Sequence, residues 1–316
     1  MKKTTKIYIA GHLGMVGSAV WRILESKGYS NLIGKTSKEL DLRNQKSVVD
    51  FYVKEQPDVV IDAAAKVGGI LANNNFPYQF LMENLQIQNN LIDGALQTGV
   101  EKFIFLGSSC IYPKLAPQPL KEEYLLTDSL EPTNECYAIA KITGIKACQA
   151  IRKQFNKEYV SLMPTNLYGS FDNFDLQSSH VLPAMLRKFH EAKIDNHSDV
   201  TLWGSGTPMR EFLFVDDMAE AVVYALENSL PEYLYNIGTG KDITIKELAE
   251  TIQKTIGHQG NIIWDASKPD GTQRKLMDVS KMKALGWRYS TELEDGIKNT
   301  YQWFLENIDT IKEIKL

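Results

Sequence analysis

Two short segments of the chain contain side chains that can act together on a ketone. The first, residues 107–113, follows an apolar run and contains Ser108 and Cys110. In the second, Tyr137 precedes Lys141 by four positions, and positions four apart share one face of a helix. A serine hydroxyl can donate a hydrogen bond to a ketone oxygen on which negative charge develops. A tyrosine can protonate the same oxygen, and a nearby ammonium lowers the pKa of that tyrosine. The pattern predicts carbonyl chemistry, although this tyrosine–lysine spacing also occurs by chance.

The first element that must position these groups is a strand followed by a glycine-rich turn. Residues 6–10 are mostly apolar, and three glycines follow at intervals of three before a helical apolar pattern begins. Such glycines permit the turn, let backbone N–H groups approach a pyrophosphate, and let the helix pack close to the strand. The alternative is a tight strand–helix turn without a ligand. The predicted phosphate-binding loop consists of Gly11, His12, Leu13, Gly14, Met15, Val16 and Gly17.

The end of the second predicted strand, residues 31–34, bears on the choice of cofactor. A site for NAD usually places an acidic residue there to bind the ribose hydroxyls, whereas a basic residue suits the 2′-phosphate of NADP. Lys35 follows this strand, and no acidic residue occurs before Glu39. We therefore predict NADP(H), with Lys35 at the 2′-phosphate; a solvated surface lysine is the alternative.

Strands and helices alternate through the first half of the chain. This alternation predicts an α/β fold with a Rossmann-type, doubly wound parallel sheet. From residue 168 the alternation is less regular, so we predict a second, smaller α/β lobe that binds the substrate. The predicted NADP-binding domain comprises residues 1–167 and 213–239, and the lobe comprises 168–212 and 240–316. Among the helices we expect one over residues 84–97, and capping boxes beginning at Thr244 and Thr291.

The overall composition excludes several classes of protein. The chain has 316 residues, a net charge of -4 and a pI of about 5.8, so we expect neither nucleic-acid binding nor membrane binding. No apolar run reaches the roughly 18 residues of a transmembrane helix. The three cysteines fit neither a disulfide framework nor a zinc site, and no metal is predicted. A cytoplasmic protein is the simplest interpretation.

These motifs, in this order, resemble the extended short-chain dehydrogenase/reductase family. The rarer strings at residues 107–113, 131–134, 164–169, 203–211 and 266–271 are similar to its members that act on GDP-linked 4-keto-6-deoxyhexoses. The resemblance implies 3,5-epimerisation of GDP-4-keto-6-deoxy-D-mannose, followed by NADPH-dependent reduction at C4 to GDP-L-fucose. It also implies a homodimer.

The resemblance assigns roles to particular residues. Reduction would use Ser108, Tyr137 and Lys141, while Cys110 and His180 would exchange protons with the sugar. A Cys110 thiolate is a workable base if a neighbouring cation lowers its pKa. Further cofactor contacts are implied for Leu106, Gly107, Lys141, Pro164, Thr165, Asn166, Leu167 and His180. Substrate contacts are implied for Lys188, Trp203, Arg210, Asp270 and Lys275.

Other interpretations stay open at this point. Cys110 could be a small buried hydrophobic residue and His180 a structural polar contact. Leu13 and Lys188 occupy positions where relatives often carry arginine. The strength of phosphate binding at these two positions is therefore open. The chain could also be another nucleotide-sugar 4-epimerase, reductase or dehydratase, or a catalytically silent NADP-binding regulator.

Overall fold

Parallel strands form the main sheet of the computed structural model, which describes residues 1–176, 178–268 and 270–311. The strands, in chain order, are β1 Ile7–Ala10, β2 Leu32–Ile33, β3 Val59–Asp62, β4 Lys102–Leu106, β5 Glu158–Pro164, β6 Asn166–Tyr168, β7 Asp199–Trp203, β8 Met209–Phe214, β9 Leu234–Ile237, β10 Asp242–Thr244, β11 Asn261–Asp265 and β12 Arg274–Lys275. The helices are α1 Met15–Ser26, α2 Gln45–Glu55, α3 Ile70–Asn75, α4 Pro77–Gln97, α5 Glu135–Phe155, α6 Val181–Ile194, α7 Val215–Glu227, α8 Ile245–Ile256, α9 Ser280–Leu285 and α10 Leu293–Asn307.

The six strands of the main sheet lie in the order β2-β1-β3-β4-β5-β9, and every neighbouring pair is parallel. This arrangement confirms the predicted α/β, Rossmann-type fold. The chain turns to opposite sides of β1 to form β2 and β3. Ligands of such sheets bind outside the carboxyl ends of the strands, next to this point.

Helices cover both faces of the main sheet. In β1, Ile7 and Ile9 pack with α1 and α7, whereas Tyr8 and Ala10 point to the opposite face, where α2, α4 and α5 lie. These four residues have no exposed surface. Burial on both faces explains why the strands read as continuous apolar runs, and each large apolar side chain so buried contributes about 1.5–3 kcal/mol.

The remaining strands form a second, smaller structure around β8. Strand β10 pairs with β8 in antiparallel fashion, while β12 and β6 pair with it in parallel. Strands β7 and β11 form a separate parallel pair. Helices α6, α8 and α10 pack on these strands and enclose a third apolar core. The predicted division between the two parts of the chain stays a prediction, and its last five residues lie outside the described residues.

Two local predictions about helices are wrong. Helix α4 begins at Pro77, not at residue 84, because proline suits the first helical turn, where its missing N–H costs nothing. The capping box at Thr244 forms, but Thr291 caps no helix: Glu292 precedes α10, and the Thr291 amide donates to Asp217 at 3.1 Å.

Among the described residues, no helix is both long and apolar enough to span a bilayer. The same part of the chain contains no group of three or more His, Cys, Asp or Glu side chains arranged to hold a metal ion.

Candidate active site

The glycine loop between β1 and α1 is shaped for close approach of a ligand to the backbone. Gly11 has φ +77°, and a Cβ there would lie 2.7 Å from the Ala63 carbonyl oxygen. A Cβ on Gly17 would collide with the Gly11 carbonyl, so the helix can pack this close only with glycine. Gly14 precedes α1, whose first turn contains no acidic side chain. The positive end of α1 is thus available to a phosphate group.

The residues around this loop only partly resemble a strong 2′-phosphate site. The His12 ring packs against Gly34, 5.6 Å from the Trp21 ring centroid, and Leu13 is 53% exposed. The Lys35 ammonium lies 3.8 Å from a carboxylate oxygen of Glu39. Lys35 follows the end of β2, and an acidic side chain shares its charge, so its role at the 2′-phosphate stays a prediction.

The carboxyl end of β4 presents the serine and the cysteine. Ser108 follows Leu106 and Gly107, and its Oγ accepts a hydrogen bond of 3.4 Å from the Cys110 amide at the start of a short 3-10 turn. Cys110 is 7% exposed. The backbone thus fixes Ser108 and Cys110 at one strand end.

Helix α5 brings Tyr137 and Lys141 to the same strand end. The Lys141 Nζ donates a 2.9 Å hydrogen bond to the Leu106 carbonyl and lies 5.9 Å from the Tyr137 ring centroid. Burial is the main cause that raises the Tyr137 pKa, and Cys110 and Asp62 raise it further. The predicted lowering of the Tyr137 pKa is therefore wrong for the protein alone, because burial, Cys110 and Asp62 all raise that pKa. Burial also lowers the Lys141 pKa, against the attraction of Asp62 and Cys110.

Asp62 is a residue of this region that the sequence interpretation missed. It ends β3, is 1% exposed, and pairs in register with Phe105, next to the residue that binds Lys141. The available signal was an acid inside the otherwise apolar run of residues 59–65.

Lys275 links the cysteine to the histidine. Burial raises the pKa of the Cys110 thiol, while the Lys275 charge, Ser108 and Lys141 oppose this rise. His180 precedes α6 and is exposed, but protein surrounds its ring closely enough that desolvation lowers its pKa, with Lys275 adding to the effect. The condition for a thiolate base, a Cys110 pKa lowered by a neighbouring cation, is not met in the protein alone because burial outweighs that cation. Lys275 nevertheless is the neighbouring cation that the expectation required, and it influences both groups.

The predicted substrate residues group around the second, smaller sheet. Lys275 lies opposite Arg210 in the pairing of β12 with β8. Asp270 accepts hydrogen bonds from the Ser205 amide at 2.7 Å and its hydroxyl at 2.8 Å, and its charge partly offsets the desolvation that lowers the Arg210 pKa. A carboxylate and two cations thus belong to neighbouring segments around β8 and β12.

Trp203 forms a second part of this region. It is 43% exposed, and the Lys188 and Lys268 ammonium groups lie 5.8 and 5.6 Å from its ring. Lys188 also donates to the Thr201 carbonyl at 2.9 Å. The sequence interpretation missed Lys268. Its only signal was its place within the string 266–271, three residues beyond β11, the strand that pairs with the Trp203-containing β7.

Residues after β5 connect the two sheets. The Thr165 hydroxyl and the Asn166 amide both donate to the Glu211 carbonyl, at 3.2 and 2.8 Å. The Glu211 carboxylate is fully buried and accepts from the amides of Gly240 at 2.7 Å and Met277 at 2.8 Å. Thr165 and Asn166 are predicted to contact the cofactor. In the structure, their side chains form hydrogen bonds within the protein. Their neighbours Pro164 and Leu167 belong to β5 and β6.

Comparison with known proteins identifies the family. The profile described as the NAD dependent epimerase/dehydratase family matches residues 7–238. The chain belongs to this family. Among its epimerase/dehydratase relatives, GDP-L-fucose synthase 1 of Arabidopsis thaliana is 55% identical over 306 residues, covering 97% of this chain and 95% of the relative. GDP-L-fucose synthase of Escherichia coli is 54% identical over 316 residues, covering 97% and 98%.

Solved structures extend the comparison to three dimensions. A GDP-6-OMe-4-keto-L-xylo-heptose reductase from C. jejuni superimposes with a TM-score of 0.92 at 38% identity, covering 97% of this chain and 99% of that one. A GDP-L-fucose synthetase from Naegleria fowleri bound to NADP has a TM-score of 0.90 at 30% identity, covering 99% and 98%. Both likenesses span the main sheet and the smaller structure around β8 of this epimerase/dehydratase-family chain.

Proposed function

We propose that this chain converts GDP-4-keto-6-deoxy-D-mannose to GDP-L-fucose, by epimerisation at C3 and C5 followed by NADPH-dependent reduction at C4. The observation that carries the proposal is the near-full-length identity of 52–55% with several GDP-L-fucose synthases. The side chains at the carboxyl end of β4 support it, because they supply an oxyanion donor, a proton donor and a thiol in one place.

NADPH suits the glycine loop and the open helix end. We assign its pyrophosphate to the backbone of residues 11–17 and its 2′-phosphate to Lys35, whose ammonium lies at the end of β2. When bound, NADPH supplies the hydride for C4. The NADP-bound structure of the Naegleria fowleri relative supports the same choice of cofactor.

For reduction, Ser108 and Tyr137 act on the C4 oxygen. The Ser108 hydroxyl donates a hydrogen bond to the oxygen as charge develops, and the Tyr137 phenol delivers its proton to complete the alcohol. A raised pKa keeps the phenol protonated until that charge appears. Lys141, held by the Leu106 carbonyl, stabilises the phenolate that results.

For epimerisation, Cys110 and His180 exchange protons with C3 and C5. The C4 ketone acidifies both carbons, so loss of either proton places negative charge on the same C4 oxygen. We assign Cys110 as the base and His180 as the acid that returns a proton to the opposite face. Both groups begin neutral, since the Cys110 pKa is raised and the His180 pKa is lowered. A proton must therefore pass from the Cys110 thiol to His180 before the first exchange, which leaves a thiolate as the base and an imidazolium as the acid; the Lys275 charge favours the thiolate.

The GDP moiety suits the cationic region around β8 and β12. Arg210 and Lys275 lie opposite each other and can neutralise the diphosphate, while Trp203 offers an apolar face. Lys188 and Asp270 complete the assignment at the two sides of this region.

The proposal is tested by incubating the protein with NADPH and GDP-4-keto-6-deoxy-D-mannose in deuterated water. Oxidation of NADPH with deuterium at C3 and C5 of the product supports it. Reduction without deuterium at these carbons would favour a simple 4-reductase, a reaction class named for the structural relative from C. jejuni. Absence of NADPH oxidation would contradict the proposal.

We also propose a cytoplasmic homodimer and retain the predicted division into an NADP-binding domain and a substrate lobe. Exposed apolar groups on α4 and α5, Tyr78 at 69% and Ile139 at 42%, support a covered surface on these helices. Sedimentation velocity tests this directly, and a monomer at micromolar concentration would contradict it.

A further inference from the structure

Asp62 is a buried acid that the assigned chemistry leaves without a role. One of its carboxylate oxygens accepts a 3.1 Å hydrogen bond from the Ala64 amide. The other has no hydrogen-bond partner among the described residues, and the same holds for the buried Tyr8 hydroxyl. A buried carboxylate oxygen without a partner costs free energy, so its presence calls for a physical reason.

The sheet register places Asp62 beside the catalytic lysine. Asp62 lies opposite Phe105, and the Lys141 ammonium lies 4.8 Å from the Phe105 ring centroid. The same ammonium is bound to the carbonyl of Leu106, the next residue of β4. Lys141 is 3% exposed, so little water screens the two charges from each other.

The two groups influence each other through space. The Asp62 charge raises the Lys141 pKa against the desolvation that lowers it, and Lys141 in turn lowers the pKa of Asp62. Burial still leaves the Asp62 pKa at about 6, so the carboxylate is ionised at neutral and alkaline pH. Other titratable groups that feel this charge come from each element packed around it: Tyr8 on β1, Tyr52 on α2, and Tyr137 and Cys148 on α5.

We propose that Asp62 is a positioning residue whose buried negative charge keeps the Lys141 ammonium protonated at the site. Lys141 is the one cation among these neighbours, and a buried ammonium without a counter-charge would lose its proton readily. The kinetic part of the test rests on the proposed function, because it follows NADPH-dependent reduction.

The first experiment compares Asp62→Asn with the wild type across pH 6 to 10, using kcat for reduction. We expect the alkaline loss of activity to move to lower pH by about one pH unit, because Lys141 loses its counter-charge. Glu122→Gln is the matched control: Glu122 is also a buried acid with a raised pKa, but its cationic partner is Lys281. An unchanged alkaline limb in Asp62→Asn, or an equal shift in Glu122→Gln, would overturn the proposal.

A second experiment separates Lys141 from Tyr137, whose pKa Asp62 also influences. NADPH affinity is measured by calorimetry against pH in Tyr137→Phe and in Tyr137→Phe/Asp62→Asn. We expect affinity to be lost at lower pH in the double variant, because the ammonium beside the cofactor discharges earlier. Coincident curves would overturn the proposal. This readout stands even if the chain reduces a different ketone.

A third measurement follows the protonation of Asp62 directly. In the infrared difference spectrum of the wild type, the buried carboxylic acid signal should disappear as pH rises through about 6. Asp62→Ser, which replaces the acid with a smaller polar side chain, assigns the signal if Asp62→Asn is poorly folded. A carboxylic acid signal that persists to pH 8 in the wild type and is missing from Asp62→Ser would refute a charged Asp62.

Discussion

The Lys141 ammonium is bound to the carbonyl oxygen of Leu106, the last residue of β4, at 2.9 Å. This hydrogen bond ties the second turn of α5 to the strand end from which Ser108 projects two residues later. Tyr137, one turn earlier on α5, is thereby held on the same side. The backbone sets the relative positions of these three groups before any ligand binds, which is the preorganisation that carbonyl reduction needs.

Tyr137→Phe should uncouple the two proposed reactions. Without the phenol, NADPH oxidation should slow by about 10²–10⁴-fold, the usual contribution of a positioned proton donor. Deuterium exchange at C3 and C5 should continue, since Cys110 and His180 are untouched. The check is NADPH absorbance beside mass spectrometry of the recovered sugar nucleotide. Equal losses of exchange and reduction would contradict the separation of roles.

Cys110→Ser should produce the opposite result. A serine hydroxyl is a much weaker acid than a thiol, so deuterium exchange at C3 and C5 should fall by about two orders of magnitude or more. NADPH affinity measured by calorimetry should be unchanged. Cys136→Ser is the control, because Cys136 is partly exposed and adjoins Tyr137 but has no assigned role. Exchange that survives in Cys110→Ser would remove Cys110 as the base.

Lys275→Gln should shift the pH dependence of epimerisation. The Lys275 charge lowers the Cys110 pKa, so its removal raises that pKa further. The proton is then lost only at higher pH, and the rate–pH curve for deuterium exchange should move to higher pH at saturating substrate. A lower rate with an unmoved curve would instead mean that Lys275 serves binding alone.

Leu13→Arg should strengthen the preference for NADPH over NADH. A guanidinium at this exposed position would add a charge-assisted hydrogen bond to the 2′-phosphate; with solvent screening this is worth about 1 kcal/mol, or roughly fivefold in the ratio of Kd values. Leu305→Arg, which adds the same charge to an exposed site on α10, should leave the ratio unchanged. Calorimetric titration with both cofactors gives the answer, and equal ratios in the two variants would refute a phosphate site beside Leu13.

Asp62→Asn should change the pH dependence of stability. The Asp62 pKa is about 6 in the folded protein against an ordinary value of 3.8. The wild type therefore gains stability from protonated Asp62 that is fully present below pH 3.8 and is lost as pH rises through 6. Asparagine has no such proton, so the variant's free energy of unfolding should rise relative to that of the wild type by about 2.5 kcal/mol between pH 4 and pH 8. If the urea midpoints of the variant and the wild type differ by the same amount at every pH in this range, the raised Asp62 pKa is contradicted.

Much of the fold was predictable because its signals are local. Continuous apolar runs indicated the parallel strands, and the glycines at 11, 14 and 17 indicated a turn that the structure can build only with glycine at Gly11 and Gly17. The spacing of Tyr137 and Lys141 indicated a shared helical face, and both lie on α5.

The rest depends on contacts between distant segments. The sequence beginning at Thr291 has the capping-box pattern. However, the Thr291 amide donates to Asp217, which is remote in sequence, and Glu292 precedes α10 instead. Likewise, the directions of the Tyr137 and Cys110 pKa shifts follow from burial, which the motif does not encode. A role for Asp62 was not predictable, because Lys141, the cation that lowers its pKa, lies on α5, far from Asp62 in the sequence.

The buried Glu211 has a consequence for how substrate enters. Its carboxylate and its carbonyl together hold Thr165, Asn166, Gly240 and Met277, which lie along the boundary between the two sheets. Swinging the two parts of the molecule open would strand these buried groups at about 1–3 kcal/mol each. We therefore expect the boundary between the two sheets to stay closed while a ligand binds.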